Sequence, residues 1–304
     1  MNLMTMSSTK KVIIIVGPTA IGKTALSINI AKRLNTEIIS CDSRQFYKEL
    51  LIGAAPPSQK ELAQVKHHFI QHKSILEDYS LGNFEKDCIK LINKKFKTHD
   101  LLIMTGGSGM YADSVLYGLD KFPEIEKKVR NDLITLFKKK GIKYIQNLLK
   151  EKDPDYFSKV DLNNHQRIIR ALEVSIFTGK PFSSFLGKKR IKRKFKTKIL
   201  IIEEDRNKLY NKINNRVDLM IKNGLENEVK GLIKYKNINS LQTVGYKEFF
   251  DFFNGKFKKN DAVLKIKKHT RNYAKRQITW NKKYIDAIKV SSSISINKIL
   301  NLKN

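Results

Sequence analysis

Acidic residues are scarce in this chain. Its 304 residues include 29 Asp and Glu against 60 Lys and Arg, a formal net charge of +31. A field of that sign attracts polyanions. The chain is also crowded with Lys, Asn and Ile, as AT-rich coding produces, so the positions of the charges must carry the argument. Cysteine is scarcer still. Cys41 and Cys88 are the only two, they form no metal-type spacing, and in a reducing compartment they read as small buried hydrophobes. Long apolar runs are missing: no stretch approaches the roughly 20 residues that span a bilayer. Val12–Val16 is short, runs into a glycine turn and lacks a signal-peptide cleavage pattern, so it reads as a buried strand. A cytoplasmic protein without membrane contact is the expectation. The 41% hydrophobic content can fill a sizeable core, and the length fits one large domain or two ordinary ones.

Lys11–Val16, Glu37–Ser40, Leu101–Thr105 and Lys198–Ile202 read as short buried strands, and Leu26, Ile30 and Leu34 mark one face of an intervening helix. Such alternation predicts an α/β fold with a parallel sheet. From about Glu124 to Gly187 the strand signal stops, and a helical pattern follows with breaks at Gly141, Asp153–Pro154 and Gly179–Pro181. We divide the chain into an α/β core, residues 1–122 and 196–304 with C-terminal helices, and a helical insertion at 123–195. The basic run Lys188–Lys198 reads as a solvated connector rather than an RNA grip.

Gly17-Pro18-Thr19-Ala20-Ile21-Gly22-Lys23-Thr24 fits G-x-x-x-x-G-K-[ST], after a strand and opening a helix. Its glycines let backbone N–H groups turn toward phosphate oxygens, and the helix N-terminus adds partial positive charge. Lys23 supplies a full charge, and Thr24 can reach a magnesium ion. P-loop NTPases and small-molecule kinases add an acidic metal site at the end of a second strand. Here Leu101–Thr105 runs into Gly106-Gly107-Ser108 with no acid. The nearest carboxylate is Asp42, closing the next strand, where it can hold metal or act as a base. His67, His68 and His72 raise a metal site as an alternative.

Six segments then converge: Gly17–Thr24, Asp42–Tyr47, Gly106–Tyr111, Gln166–Val174, Val244–Glu248 and Thr270–Trp280. In this order they closely resemble the tRNA dimethylallyltransferases, also called tRNA isopentenyltransferases, over nearly the whole chain. The resemblance implies a P-loop NTPase-like parallel core with a helical insertion that contacts tRNA. It implies transfer of a dimethylallyl group from dimethylallyl diphosphate to N6 of adenosine 37 in the tRNA anticodon loop, with Mg2+. The P-loop then holds the donor's diphosphate, which accounts for the missing second acidic site and for the absence of DDxxD pairs. Asp153-Pro154-Asp155 is the closest approach to one and reads as a helix break.

The resemblance also implies roles. Asp42 is the base. Ser108 and Arg216 assist the leaving diphosphate, and Gly17, Pro18, Thr19, Ala20, Ile21, Gly22, Lys23 and Thr24 bind it, with Thr24 on the metal. Asp42, Ser43, Arg44, Gln45 and Ser108 read the flipped base. Arg130, Gln166, Arg167, Ile168, Ile169 and Arg170 contact tRNA, and Lys268, Arg271 and Lys275 fall near one face of a late helix. Tyr273 and Trp280 read as core packing, and the histidine pair matches a strand position with no metal role.

The chain departs from the family at Ser108 and Asn281, and at Gly53-Ala54-Ala55-Pro56-Pro57, which lacks a hydroxyl and a lysine expected there. The zinc finger of eukaryotic members is not present, implying a bacterial or organellar type, and a monomer is expected. Two rivals stand beside this reading: a P-loop kinase of a nucleoside or small metabolite, and a non-catalytic RNA-binding protein.

Overall fold

A computed structural model describes residues 10–187, 191–292 and 294. The described residues divide into two compact units, with boundaries at Tyr117/Gly118 and Ile191/Lys192.

The larger unit begins with β1 (Lys11–Val16), α1 (Lys23–Arg33), β2 (Ile38–Ser40), α2 (Gln59–Leu62), β3 (His67–His68), α3 (Leu81–Lys95), β4 (Leu101–Thr105) and α4 (Gly109–Tyr117). The smaller unit holds α5 (Lys127–Lys152), α6 (Pro154–Phe157) and α7 (His165–Thr178). The larger unit resumes with β5 (Lys196–Glu203), α8 (Arg206–Lys222), α9 (Leu225–Gly231), α10 (Tyr246–Phe253), α11 (Lys259–Asn281) and β6 (Ile288–Ser291). Its six strands form one all-parallel sheet in the order β3-β2-β4-β1-β5-β6.

Strand β1 is an unbroken apolar run because both its faces are covered. Val12, Ile14 and Val16 join one buried cluster with Phe84, Tyr246 and Phe249. Ile13 and Ile15 point the other way, into a second cluster with Ile28 and Ile30 of α1 and Ile213 of α8. The period of two sends alternate residues to opposite faces. Strand β6 carried no readable signal, since Ile288–Ser291 is four residues with one fully buried apolar side chain. No described helix is long and apolar enough to cross a membrane.

In the smaller unit, α5 is interrupted at Gly141, whose φ of +76° is left-handed. Asp153 is fully buried and caps α6 through Tyr156 N–H, and it also accepts bonds from the Ser183 N–H and hydroxyl. It is a structural cap, as the helix-break reading requires. Helix α7 ends at Gly179 in the αL conformation. Leu133, Ile145, Leu149, Ile168, Ile169 and Leu172 fill this unit's core.

The unit ends at Ile191, short of the expected residue 195. Arg193 supplies a physical reason. Its side chain is largely buried, pairs with Glu85 and donates to the carbonyls of Ser114 and Val115. Arg193 therefore fastens that segment to the sheet unit, while Lys192, Lys194 and Lys196 around it are exposed. Lys188–Arg190 of the basic run lie outside the described residues.

Candidate active site

The loop between β1 and α1 forms a cradle. Gly22 has a φ of +96°, which an L side chain rarely adopts, and Ala20 also sits at positive φ. Helix α1 opens at Gly22 with no side-chain cap and no acid in its first turn. Its leading N–H groups are left for an outside acceptor, and the helix dipole makes that acceptor an anion. Among the described residues, Lys23 Nζ donates only to the carbonyls of Gly17 (3.1 Å) and Pro18 (2.8 Å). Desolvation depresses its pKa to about 8; Asp42 pulls it back up while Arg216 pushes it further down.

The turn after β2 faces this cradle. Asp42 Oδ1 accepts the Arg44 N–H at 3.1 Å, and the Asp42 N–H donates to Ser40 Oγ at 3.3 Å. β4 must come very close, and Gly106 allows it: a Cβ there would stand 2.6 Å from the Cys41 carbonyl carbon and 2.8 Å from Asp42 N. Ser108 Oγ accepts the Ser43 N–H and bonds the Ser43 hydroxyl, both at 3.1 Å, which ties the β4 turn to the Asp42 turn. Arg44 donates to the carbonyls of Asn239 and Ser240, and Gln45 donates to Ala55 O at 3.0 Å.

Arg216 of α8 makes no hydrogen bond among the described residues. Burial lowers its pKa, with the nearby Asp42 charge opposing that shift. Tyr273 of α11 reaches the Gly107 carbonyl, and burial followed by the Asp42 charge raises its phenol well above the usual value. It lines the cleft, so the reading of Tyr273 as core packing is corrected: the helical period that buries Ala274 and Gln277 turns Tyr273 toward Asp42. Trp280 does pack closely, its ring filling the space that a Cβ on Gly109 would need. Sequence reasoning missed the role of Gln277. Its carbonyl accepts Thr19 N–H and its amide donates to Gly107 O, both at 2.8 Å, so one buried side chain clamps the phosphate loop to the β4 turn.

Two cavities meet here. One, of about 480 Å³, is lined by Thr19–Thr24 with Lys212 and Asn215. The other, of about 700 Å³, has an apolar part including Val217, Met220 and Phe257 and a polar part including Lys247, Lys265 and Arg276. They share Thr19, Asp42, Arg216 and Tyr273.

The histidines form no shared site. His68 pairs with Glu37, His67 Nδ1 bonds Val65 O, and His72 sits against Phe46, Phe69 and Tyr79. Among the described residues no group of three His, Cys, Asp or Glu could hold a metal.

The positions expected to touch RNA in the smaller unit separate into three kinds. Gln166 and Arg167 are exposed on α7. Ile168 and Ile169 are buried core, so their side chains are not RNA contacts; at this stretch the helix face passes inward. Arg130 and Arg170 both pair with the buried Glu173, and Arg170 also lies 4.9 Å from the Phe122 ring centre. Arg170→Ala should therefore lower stability by about 1–3 kcal/mol, because Glu173 loses its closer partner. Arg167→Ala should leave the melting temperature unchanged. Thermal melts of the two variants check this, and equal melting temperatures would contradict it. In the larger unit, Lys268 and Lys275 are exposed, while Arg271 is held by Asn214.

Comparison with known proteins identifies relatives of this chain. The IPP transferase family model matches residues 45–284. The tRNA dimethylallyltransferase of Flavobacterium psychrophilum is 49% identical over 298 residues, covering 96% of this chain and 97% of that one. The crystal structure of the tRNA isopentenylpyrophosphate transferase from Bacillus halodurans superposes with a TM-score of 0.71 at 32% identity, over 96% and 95% of the two chains. A eukaryotic dimethylallyltransferase acting on tRNA gives a TM-score of 0.77 at 28% identity, covering 93% of this chain and 74% of that one. The chain belongs to the IPP transferase family, that of the tRNA dimethylallyltransferases.

Proposed function

We propose that this enzyme transfers a dimethylallyl group from dimethylallyl diphosphate to the exocyclic N6 of adenosine 37 in tRNA, releasing diphosphate. The observation that carries the reading is the meeting of the two cavities at Asp42 and Arg216. One cavity ends in an anion cradle. The other has room for a flipped base beside an apolar wall. Among the described residues, the only carboxylate that lines both stands where they join.

The adenine amine is a poor nucleophile, its lone pair delocalised into the ring. As N6 attacks C1 of the donor, the C1–O bond breaks and Asp42 takes the N6 proton. The diphosphate leaves into Lys23, Arg216 and the α1 N–H groups, whose charge is already in place. The Thr24 hydroxyl is a hard oxygen donor that would hold a Mg2+ ion beside the prenyl donor, and such an ion would neutralise charge on the leaving group. Ser43 and Arg44 line the wider cavity beside Asp42, where a base edge must pass, whereas Gln45 lines the cradle side with its amide held by Ala55 O and the Ser40 hydroxyl. Adenosine 37 leaves its stack at a cost of roughly a few kcal/mol. Gln166 and Arg167 supply further RNA contacts from the smaller unit. Removing one side chain that holds a phosphate should flatten the salt dependence of tRNA binding by about 0.7 in log–log slope.

The test is incubation of the protein with labelled dimethylallyl diphosphate and unmodified tRNA, with and without Mg2+, and with ATP in place of the donor. Label appearing on N6 of adenosine 37 supports the proposal. Phosphoryl transfer from ATP without prenylation would establish a kinase, and tRNA binding without product a binding protein.

A further inference from the structure

Helix α9 carries a carboxylate with an unusual set of partners. Glu228 accepts four bonds: Leu51 N–H (2.9 Å) and Ile52 N–H (2.7 Å) on Oε2, Gly53 N–H (3.0 Å) and the Tyr246 hydroxyl (2.6 Å) on Oε1. Three consecutive backbone N–H groups turned onto one carboxylate fix the loop as firmly as a helix N-terminus fixes an anion. Tyr246 is fully buried and backs the same loop, leaving no room for a side chain on Gly53.

This hold passes inward without a break. The Ile52 carbonyl accepts Ala55 N–H at 3.0 Å, which keeps Ala55 at a φ of +42° that alanine disfavours. The Ala55 carbonyl accepts the Gln45 amide at 3.0 Å. Gln45 Oε1 accepts the Ser40 hydroxyl at 3.1 Å, and Ser40 Oγ accepts the Asp42 N–H. Five hydrogen bonds run from Glu228 to the backbone of Asp42. The loop between them is the one in which Ala54 and Pro56 replace a hydroxyl and a lysine, so its placement rests on backbone bonds to Glu228.

We propose that Glu228 is a positioning residue for prenyl transfer, setting the direction of the Asp42 carboxylate through the loop at 51–55; this rests on Asp42 being the base. Glutamine cannot replace it. An amide turns an NH2 toward two of the four donors and leaves them facing hydrogens. A displaced Asp42 turn slows the proton transfer and leaves the α1 cradle as it was.

The experiment measures single-turnover prenyl transfer and donor affinity for Glu228→Gln, Asp42→Asn and the double variant, with melting temperatures to set the folded fraction. Glu228→Gln should lose about 10–100-fold in rate with donor affinity within about twofold, since misplacement of a base by an ångström costs about that much. In the Asp42→Asn background the same change should cost almost nothing, because groups acting as a unit are not additive. Gly53→Ala, which keeps the Glu228 carboxylate but displaces the loop and the Tyr246 hydroxyl that it holds, should reproduce both results and serves if Glu228→Gln does not fold. Full additivity with Asp42→Asn, or a rate loss accounted for by unfolded protein, overturns the proposal. If Asp42→Asn alone keeps its rate, the base assignment fails instead, and the two failures are distinct.

Discussion

Asp42→Asn should lower single-turnover prenyl transfer by about 10²–10⁴-fold, the usual contribution of a general base. The substitution is nearly isosteric, and the amide oxygen can still accept the Arg44 N–H that Asp42 Oδ1 accepts now. The turn should keep its shape while the proton acceptor disappears. Donor binding should move the other way or not at all. Lys23 and Arg216 both feel the Asp42 charge, and removing it removes a repulsion against the incoming diphosphate. Dimethylallyl diphosphate should bind as tightly as to the unaltered protein, or a few-fold tighter. Rapid-quench kinetics with a parallel binding titration separates the two quantities. A rate within about threefold of the unaltered enzyme would remove Asp42 from the role of base.

Lys23→Met should act in opposite directions on activity and stability. The ammonium is half-buried among carbonyls, and its pKa is lowered to about 8. Below pH 8 both the folded and the unfolded chain hold this proton. Between pH 8 and the unfolded value of 10.5 only the unfolded chain does, so the ligand-free protein gains stability from this group as pH rises through that window. At pH 7 the fold carries a desolvated charge that Asp42 offsets only in part. Methionine removes it and should raise stability by about 1–3 kcal/mol, after allowing for water that reaches the side chain. The stabilisation should shrink toward pH 10.5. Prenyl transfer should fall by about 10²-fold or more, as when a donor to a developing anion is removed. Ser108→Ala should cost less, since Ser108 bonds Ser43 and contributes a neutral hydroxyl. Donor affinity should also weaken as pH rises through 8 in the unaltered protein, because diphosphate favours the protonated lysine, and Lys23→Arg should flatten that dependence. A methionine variant less stable than the parent at pH 7 would contradict the account.

These outcomes rest on features that differ in how visible they were beforehand. The phosphate loop was legible because a strand, a glycine turn and a helix start occupy consecutive residues. Asp42 was legible for the same reason, as the first carboxylate after the next strand. Gln277 and Glu228 were not, because each acts on backbone groups far away in sequence. Nothing in a glutamine or a glutamate on a helix tells which loop it will meet. Gln166–Arg170 shows the opposite error: a contiguous motif was read as one contact surface, yet a helix turns about 100° per residue and sends Ile168 and Ile169 into the core. The basic run departs from its reading as a solvated connector at Arg193, a largely buried fastener, while Lys192, Lys194 and Lys196 are exposed as that reading requires. Strand β6 was missed because it is short and lies at the sheet edge, where burial demands little of its sequence.

The order of the strands has a consequence for synthesis. β1 lies between β4 and β5, and Lys11 pairs with Leu101 on one side and Lys196 on the other. A ribosome adding about 5–20 residues per second releases the first strand long before the last of these partners exists. The apolar stretch that shapes the phosphate cradle must wait with one edge open while the whole helical unit, Gly118–Ile191, emerges. That unit has its own core of local contacts and can form first, whereas the sheet closes only when β5 arrives. Nascent chains truncated before Lys196 should therefore bind chaperones through the Ile13–Val16 edge, and chains extended past Glu203 should release them.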